Sequence, residues 1–340
     1  MLTLVRVPRG MAATVLLVFL VNLEVGAQSK VGTTAVPFLE IGTGAAHVGR
    51  GEAAVASVQG ASSLYWNPGT IARIRRADVS AQITPWHAGT QLQYIAGVVP
   101  AGTGSVGISL YLFDSGEMPV TTIDLEDGTG EMFRVQDLSL GFSYGRMLTE
   151  RFSLGGTAKL IRTRLWRMSA STLALDLGFV YATPWDRLQL GFSISNFGGE
   201  LSLSGDNTTV RVDQDPLTSG DHDGILANLA VRSWDLPLLT RFGAAWSLIE
   251  SPAFGLEAMT DVLYPNSRDP YMNFGMEATL LDLLVLRGGY SNVLAQEVRG
   301  LGRLRVGVGL RLADRMTFDF ALSDRGDLDA TQHFGLGLTF

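Results

Sequence analysis

The chain has 340 residues, a net charge of -7, no cysteine and 40 glycines; 46% of its residues are hydrophobic and 17% are charged. That balance is greasier than a typical soluble protein, and the acidic charge argues against a nucleic-acid surface. The lack of cysteine excludes disulfides, a lipid-modified N-terminal cysteine and a thiol nucleophile. Beyond the N-terminus, no run of about 20 apolar residues predicts a helical membrane span.

Residues 1–27 read as a cleaved secretory signal of the Sec type. Arg6 and Arg9 supply its positive region, Met11 to Leu23 its apolar stretch, and Val25-Gly26-Ala27 the small residues before a cut at Gln28. Residues 28–76 are rich in Gly and Ala and show little alternation, which predicts a compact hatch or plug segment. Within it, Ala53 to Val58 has the composition of a short helix, and Asn67-Pro68-Gly69 is a turn signal.

From Ala77 onward, short runs of period-two alternation are separated by turn residues. The clearest sets Leu138, Leu140, Phe142 and Tyr144 against Ser139, Gly141, Ser143 and Gly145. Predicted strands cover 77–84, 91–99, 104–114, 133–145, 152–164, 170–182, 188–196, 238–248, 253–263, 271–280, 283–290, 303–311, 315–323 and 332–340. This even number of runs, most of them near the length of a tilted membrane strand, predicts an all-β, antiparallel up-and-down transmembrane barrel over residues 77–340. Connections after even-numbered strands are short, whereas several after odd-numbered ones are long: 115–132, 197–237, 291–302 and 324–331. Alternation alone also describes a soluble β-sandwich, but a sandwich has no reason to sort its loops by side. Outer-membrane barrels do, with short periplasmic turns and longer extracellular loops.

Phe334, Leu336, Leu338 and Phe340 alternate in the final strand and read as a membrane-insertion signal. That strand should pair back onto 77–84, leaving both ends of the barrel on the short-turn side and the hatch below the lumen. Lys159, Asp176, Glu257, Asp261, Glu277, Arg287, Arg305 and Asp319 fall opposite the apolar faces of their strands. A mid-membrane charge facing lipid costs about 2–4 kcal/mol for Arg or Lys, so these should face the lumen, where opposite signs pair into a network or line a solute path.

Chemical motifs are few. Gly141-Phe142-Ser143-Tyr144-Gly145 matches the serine-hydrolase G-x-S-x-G pattern, but that motif needs a strand-to-helix elbow and here lies inside a strand. His47, His87, His222 and His333 show no metal or base spacing. Asp221-His222-Asp223-Gly224, with Asp213 and Asp215, lacks the full ligand series of a calcium loop. Arg325-Gly326-Asp327 is an adhesion tripeptide by spelling only. No catalytic residue, metal or cofactor is expected.

Gly32-Thr33-Thr34-Ala35-Val36-Pro37-Phe38-Leu39, the Gly/Ala run from Gly42, and Ser63-Leu64-Tyr65-Trp66-Asn67-Pro68-Gly69 resemble the start of PorV/PorQ family outer-membrane proteins, within the wider FadL-like barrels. The family's Tyr-Trp-Asn-Pro-Ala-Gly lacks its Ala here, and its Gly-Met-Gly-Gly reads Val48-Gly49-Arg50-Gly51. The resemblance implies a fourteen-stranded outer-membrane barrel with an N-terminal hatch, whose motif is Tyr65, Trp66, Asn67, Pro68 and Gly69. It also implies a role in type IX protein secretion, with secreted cargo or secretion-machinery subunits as partners at the extracellular loops. FadL members instead carry hydrophobic small molecules, the alternative function, which predicts an apolar pocket near the hatch.

Overall fold

Side chains that alternate between apolar and small residues give a sheet two unlike faces, one of which is enclosed when the sheet curls round on itself, and here it does. The computed structural model describes residues 32–185, 187–212, 225–295, 303–313 and 315–340. The strands are β1 (Asp78–Pro85), β2 (Gln91–Ala101), β3 (Gly104–Pro119), β4 (Met132–Met147), β5 (Phe152–Leu165), β6 (Met168–Ala182), β7 (Leu188–Gly198), β8 (Ser204–Gly205), β9 (Thr209–Val212), β10 (Ile225–Asn228), β11 (Leu239–Glu250), β12 (Phe254–Pro265), β13 (Tyr271–Leu280), β14 (Leu284–Val293), β15 (Leu304–Leu312), β16 (Met316–Arg325) and β17 (Leu328–Thr339). Strands β1–β7 and β11–β17 pair with their neighbours, and β1 pairs with β17 from Asp78↔Thr339 to Ile83↔Phe334. The result is a closed, antiparallel fourteen-stranded barrel. Among the described residues no helix is long and apolar enough to cross a membrane.

The fourteen predicted runs are the fourteen barrel strands, with shifted ends. The expected long connection 324–331 is instead a tight turn: β17 begins at Leu328, and Gly326 takes a positive φ of 68° between the two strands. Asp324 Oδ1 accepts the Gly326 amide at 3.0 Å, which fixes the turn. Arg325-Gly326-Asp327 is therefore hairpin geometry. The 197–237 connection carries β8 against β6 and a separate two-stranded sheet of β9 and β10.

Outward faces are apolar, with Phe142, Leu173, Leu177, Phe242 and Phe318 all exposed. Phe334, Leu336 and Leu338 lie on the outward face of β17 opposite Ile83, Ala81 and Val79, and Phe340 is exposed at its end. Residues 32–76 run through the lumen. Gly32 and Thr34 line a cavity with Trp86, Arg268, Asn292 and Arg325 at the long-loop rim. At the other end, Ser105 Oγ donates to Ile74 O, and Arg73 donates to Gln189 at the short-turn rim. The segment thus fills the barrel from rim to rim instead of sitting below it.

Candidate functional site: the filled lumen and the loop above it

The N-terminal segment lies closer to the wall than side chains on both sides would allow. A Cβ on Gly178 would meet Asn67 Oδ1 at 2.1 Å, one on Gly275 the Arg50 carbonyl at 2.1 Å, one on Gly155 the Pro68 carbonyl at 2.3 Å, and one on Gly191 the Val55 carbonyl at 2.5 Å. Register sets these glycines side by side: Gly145, Gly155 and Gly178 in one row, then Gly191 with Gly243, and Gly275 with Gly289. They form a belt of bare backbone against which the segment rests.

Asn67 is the clamp. Its Nδ2 donates to Val55 O at 2.8 Å and to Phe179 O at 3.0 Å, and its Oδ1 accepts the Gly69 amide at 3.0 Å, capping the 3-10 turn Pro68–Arg73. The Trp66 indole donates to Thr43 O and the Tyr65 hydroxyl to Leu39 O, both at 3.0 Å. The five motif residues are all buried. They tie the segment to itself and to β6.

Residues 53–58 form turns, not the expected helix. Asp261 explains this: its Oδ2 accepts the Ala54 and Val55 amides at 2.8 and 3.1 Å, drawing those donors toward β12. The helical turns fall at Ala45–Gly49 and Ser63–Trp66 instead.

The remaining lumen charges pair locally. Lys159 contacts Asp176 at 2.6 Å and donates to Asn196. Glu277 accepts Arg287 at 2.7 Å and Arg311 at 3.1 Å and lies 3.7 Å from Arg50 of the N-terminal segment, while Arg287 also reaches Asp319 at 2.6 Å. Arg305, fully buried, donates to the carbonyls of Leu304 and Asp324. Glu257 lines a cavity with Arg73, Arg75 and Arg76 at the short-turn rim.

His47 sits among cations. Arg50 can only donate, so the 2.8 Å contact makes His47 Nδ1 an acceptor and leaves Nε2–H to donate to Ser62 Oγ at 2.8 Å.

An aromatic box closes the upper lumen. Tyr65 packs edge-on against Trp66, Tyr94 and Tyr111, with ring centroids 5.0, 6.4 and 5.8 Å away. Phe38 fills the box, 5.1 Å from Tyr111, with Val36, Leu39, Leu92 and Ile161 buried around it. Leu201 and Leu236, from the 197–237 connection, belong to the same cluster, and the Ala35 amide donates to Asp235 O. The base of the loop and the start of the N-terminal segment are one packed unit. The apolar space that a small hydrophobic ligand would need is occupied by the chain itself.

Above that base the loop is greasy. Ile225, Leu226, Leu229, Val231 and Trp234 are exposed, Leu226 at 67%, and Val212 across the β9–β10 sheet is exposed too. In the sequence this connection stands out by its aspartates, Asp213, Asp215, Asp221 and Asp223, and its apolar face goes unread. The signal was present in Ile225-Leu226-Ala227-Asn228-Leu229-Ala230-Val231, hidden behind the aspartates that precede it. Asp213, Asp215 and Asp221 to Gly224 lie outside the described residues.

Ser143 Oγ bonds Thr157 Oγ1 at 2.7 Å inside β4, with no elbow. His333 bonds Thr84 across the β1–β17 seam and Thr331 within β17. Among the described residues no group of acidic or histidine side chains could hold a metal.

A family model described as type IX secretion system protein PorV matches residues 24–204. No curated protein matches. Solved structures with the same fold include the CymD monoaromatic hydrocarbon channel, at 12% identity and TM-score 0.57. Others are the Ralstonia pickettii toluene transporter TbuX, at 14% and 0.55, and a Pseudomonas aeruginosa FadL homologue, at 14% and 0.53. Each likeness covers 88% of this chain and 98% of the other. The family model spans more than half of the chain, which is an outer-membrane β-barrel and belongs to the type IX secretion system protein PorV family.

Proposed function

We propose that this barrel is a non-enzymatic docking protein of type IX-type secretion, which binds exported proteins or subunits of the secretion machinery through its 197–237 loop. The observation that carries the reading is an exposed apolar two-stranded sheet in the loop above a filled lumen. Clustered exposed apolar side chains on a loop mark a protein interaction surface, and the free edges of a two-stranded sheet offer backbone donors and acceptors to a partner strand. The base of the loop, pinned by Leu201, Leu236 and Asp235, holds that surface in place. Residues 32–76 act as the hatch that closes the lumen.

A photo-crosslinker at Leu226 in intact cells is expected to capture proteins sharing a C-terminal sorting domain, or secretion subunits. Leu226→Glu with Leu229→Glu should abolish capture and lower surface display of that cargo at least tenfold, while barrel migration on unheated gels stays normal. Normal display in the double variant would sink the reading. Hydrolase activity, were any detected, should survive Ser143→Ala.

The second reading, uptake of hydrophobic small molecules, draws on the aromatic box of Tyr65, Tyr94 and Tyr111. It requires Phe38 and Leu39 to leave. Undiminished uptake of long-chain fatty acids and monoaromatics in a deletion strain would remove it.

A further inference from the structure

The outward face of the barrel holds a second kind of site. Pairing across β2 to β6 sets side chains in rows. Ile95, Leu110, Leu140, Leu160 and Leu173 form one row, wholly apolar. One step toward the long-loop rim the row reads Gln93, Leu112, Leu138, Arg162 and Ser171, and the next reads Gln91, Asp114, Gln136, Arg164 and Ser169. At the other rim Arg146 stands opposite Leu154. From that level to Arg162 the strand runs about 26 Å along its own axis, which at a tilt of roughly 35–45° lifts it about 20 Å, and Arg164, two residues on, stands about 25 Å up, near the height of a lipid-facing apolar band. Arg162 and Arg164 therefore sit where hydrocarbon gives way to headgroups. The outward faces of β13, β14 and β15 carry no charge, so this is a feature of one wall only.

Neither arginine makes an ion pair among the described residues, and both are exposed. The nearby carboxylates have other partners: Asp114 accepts Arg134 at 3.4 Å and Gln136 at 3.3 Å, and Glu117 lies 3.6 Å from Arg134. Arg162, Arg164, Gln91, Gln93, Gln136 and Leu138 line one groove of about 280 Å³, whose wall also includes Asp114 and Asp137. It crosses β2 to β5, three strand spacings or about 14 Å.

We propose that this groove binds the phosphorylated sugar headgroup of an outer-leaflet glycolipid. The two guanidiniums match phosphate oxygens, the three glutamine amides match sugar hydroxyls, and Leu112 and Leu138 meet the first carbons of the acyl chains. A width of four strands suits a disaccharide better than a single phospholipid phosphate. The long-loop rim faces the outer leaflet in this orientation.

The test uses the intact barrel in detergent, with diphosphoryl lipid A as probe and native mass spectrometry as readout. Arg162→Gln with Arg164→Gln should weaken binding about thirtyfold, with heat-modifiable migration unchanged. Arg162→Lys with Arg164→Lys should keep much of the affinity, and Arg146→Gln should keep all of it. Equal binding of dephosphorylated lipid A, equal binding of phosphatidylglycerol, or full binding by the double glutamine variant would each overturn the proposal. Competition by millimolar inorganic phosphate as strong as that by lipid A would overturn the glycolipid assignment as well.

Discussion

Gly178→Val is expected to push the hatch out of the lumen while the barrel still closes. A Cβ there meets Asn67 Oδ1 at 2.1 Å and Pro68 Cδ at 3.0 Å, and neither atom belongs to a flexible side chain. Relief requires the segment to leave the wall, which breaks the Asn67 bonds to Val55 O and Phe179 O. Overpacking costs about 1–3 kcal/mol, and each lost buried hydrogen bond roughly another 1 kcal/mol, so seating should lose about 4 kcal/mol. Strand pairing of β5 and β7 to β6 uses backbone groups that the valine does not touch. The variant should therefore keep heat-modifiable migration, yield to protease between residues 32 and 76, and conduct ions in a planar bilayer. Gly288→Val is the control, because it points outward with no atom within 4 Å of the added carbon. Protease resistance equal to the parent would show that the belt does not position the hatch.

The second large effect is expected at Glu277. Its carboxylate accepts Arg287 and Arg311 and faces Arg50. In Glu277→Ala, Asp319 remains as partner for Arg287 alone, and Arg50 and Arg311 lose theirs. Breaking a buried ion pair from one side costs roughly 3–5 kcal/mol, because the orphaned charge stays buried. The midpoint of urea unfolding in micelles should fall accordingly, and Glu277→Gln should fall less, since an amide oxygen still accepts. The exposed pair Arg187–Glu250, at 3.7 Å, supplies the contrast. Glu250→Ala should change stability by less than about 1 kcal/mol. Equal, small effects at both positions would mean that the lumen is wet enough to screen the network.

The barrel was legible in the sequence because its signal is local. Alternation such as that of residues 138–145 needs only neighbours in the chain, and loop sorting needs only lengths. The charged positions were legible for the same reason: Lys159 and Glu277 interrupt the small-residue face of their own strands. Their pairings were not, because Glu277 meets Arg50 across more than two hundred residues of chain. The small residues of the inner face were visible, but their purpose depends on the backbone of residues 49–69 lying against them. The 53–58 turns were missed because Asp261, far along the chain, decides where those amides point. The apolar face of the 197–237 loop was overlooked because aspartates dominate that stretch by count, although Ile225 to Val231 stand together.

The path of the hatch changes the count of membrane passages. An even number of strands returns the chain to the side it started from, and β1 and β17 do begin and end at the same rim. Residues 32–76 add one further traverse, from Gly32 among Trp86 and Arg268 at one mouth to Ile74 at the other. The two ends of the described chain therefore face opposite compartments. An epitope placed just ahead of Gly32 should label on intact cells, and one following Phe340 only after the outer membrane is opened. Assembly inherits the same constraint: the leading end must travel outward before the β1–β17 seam shuts behind it.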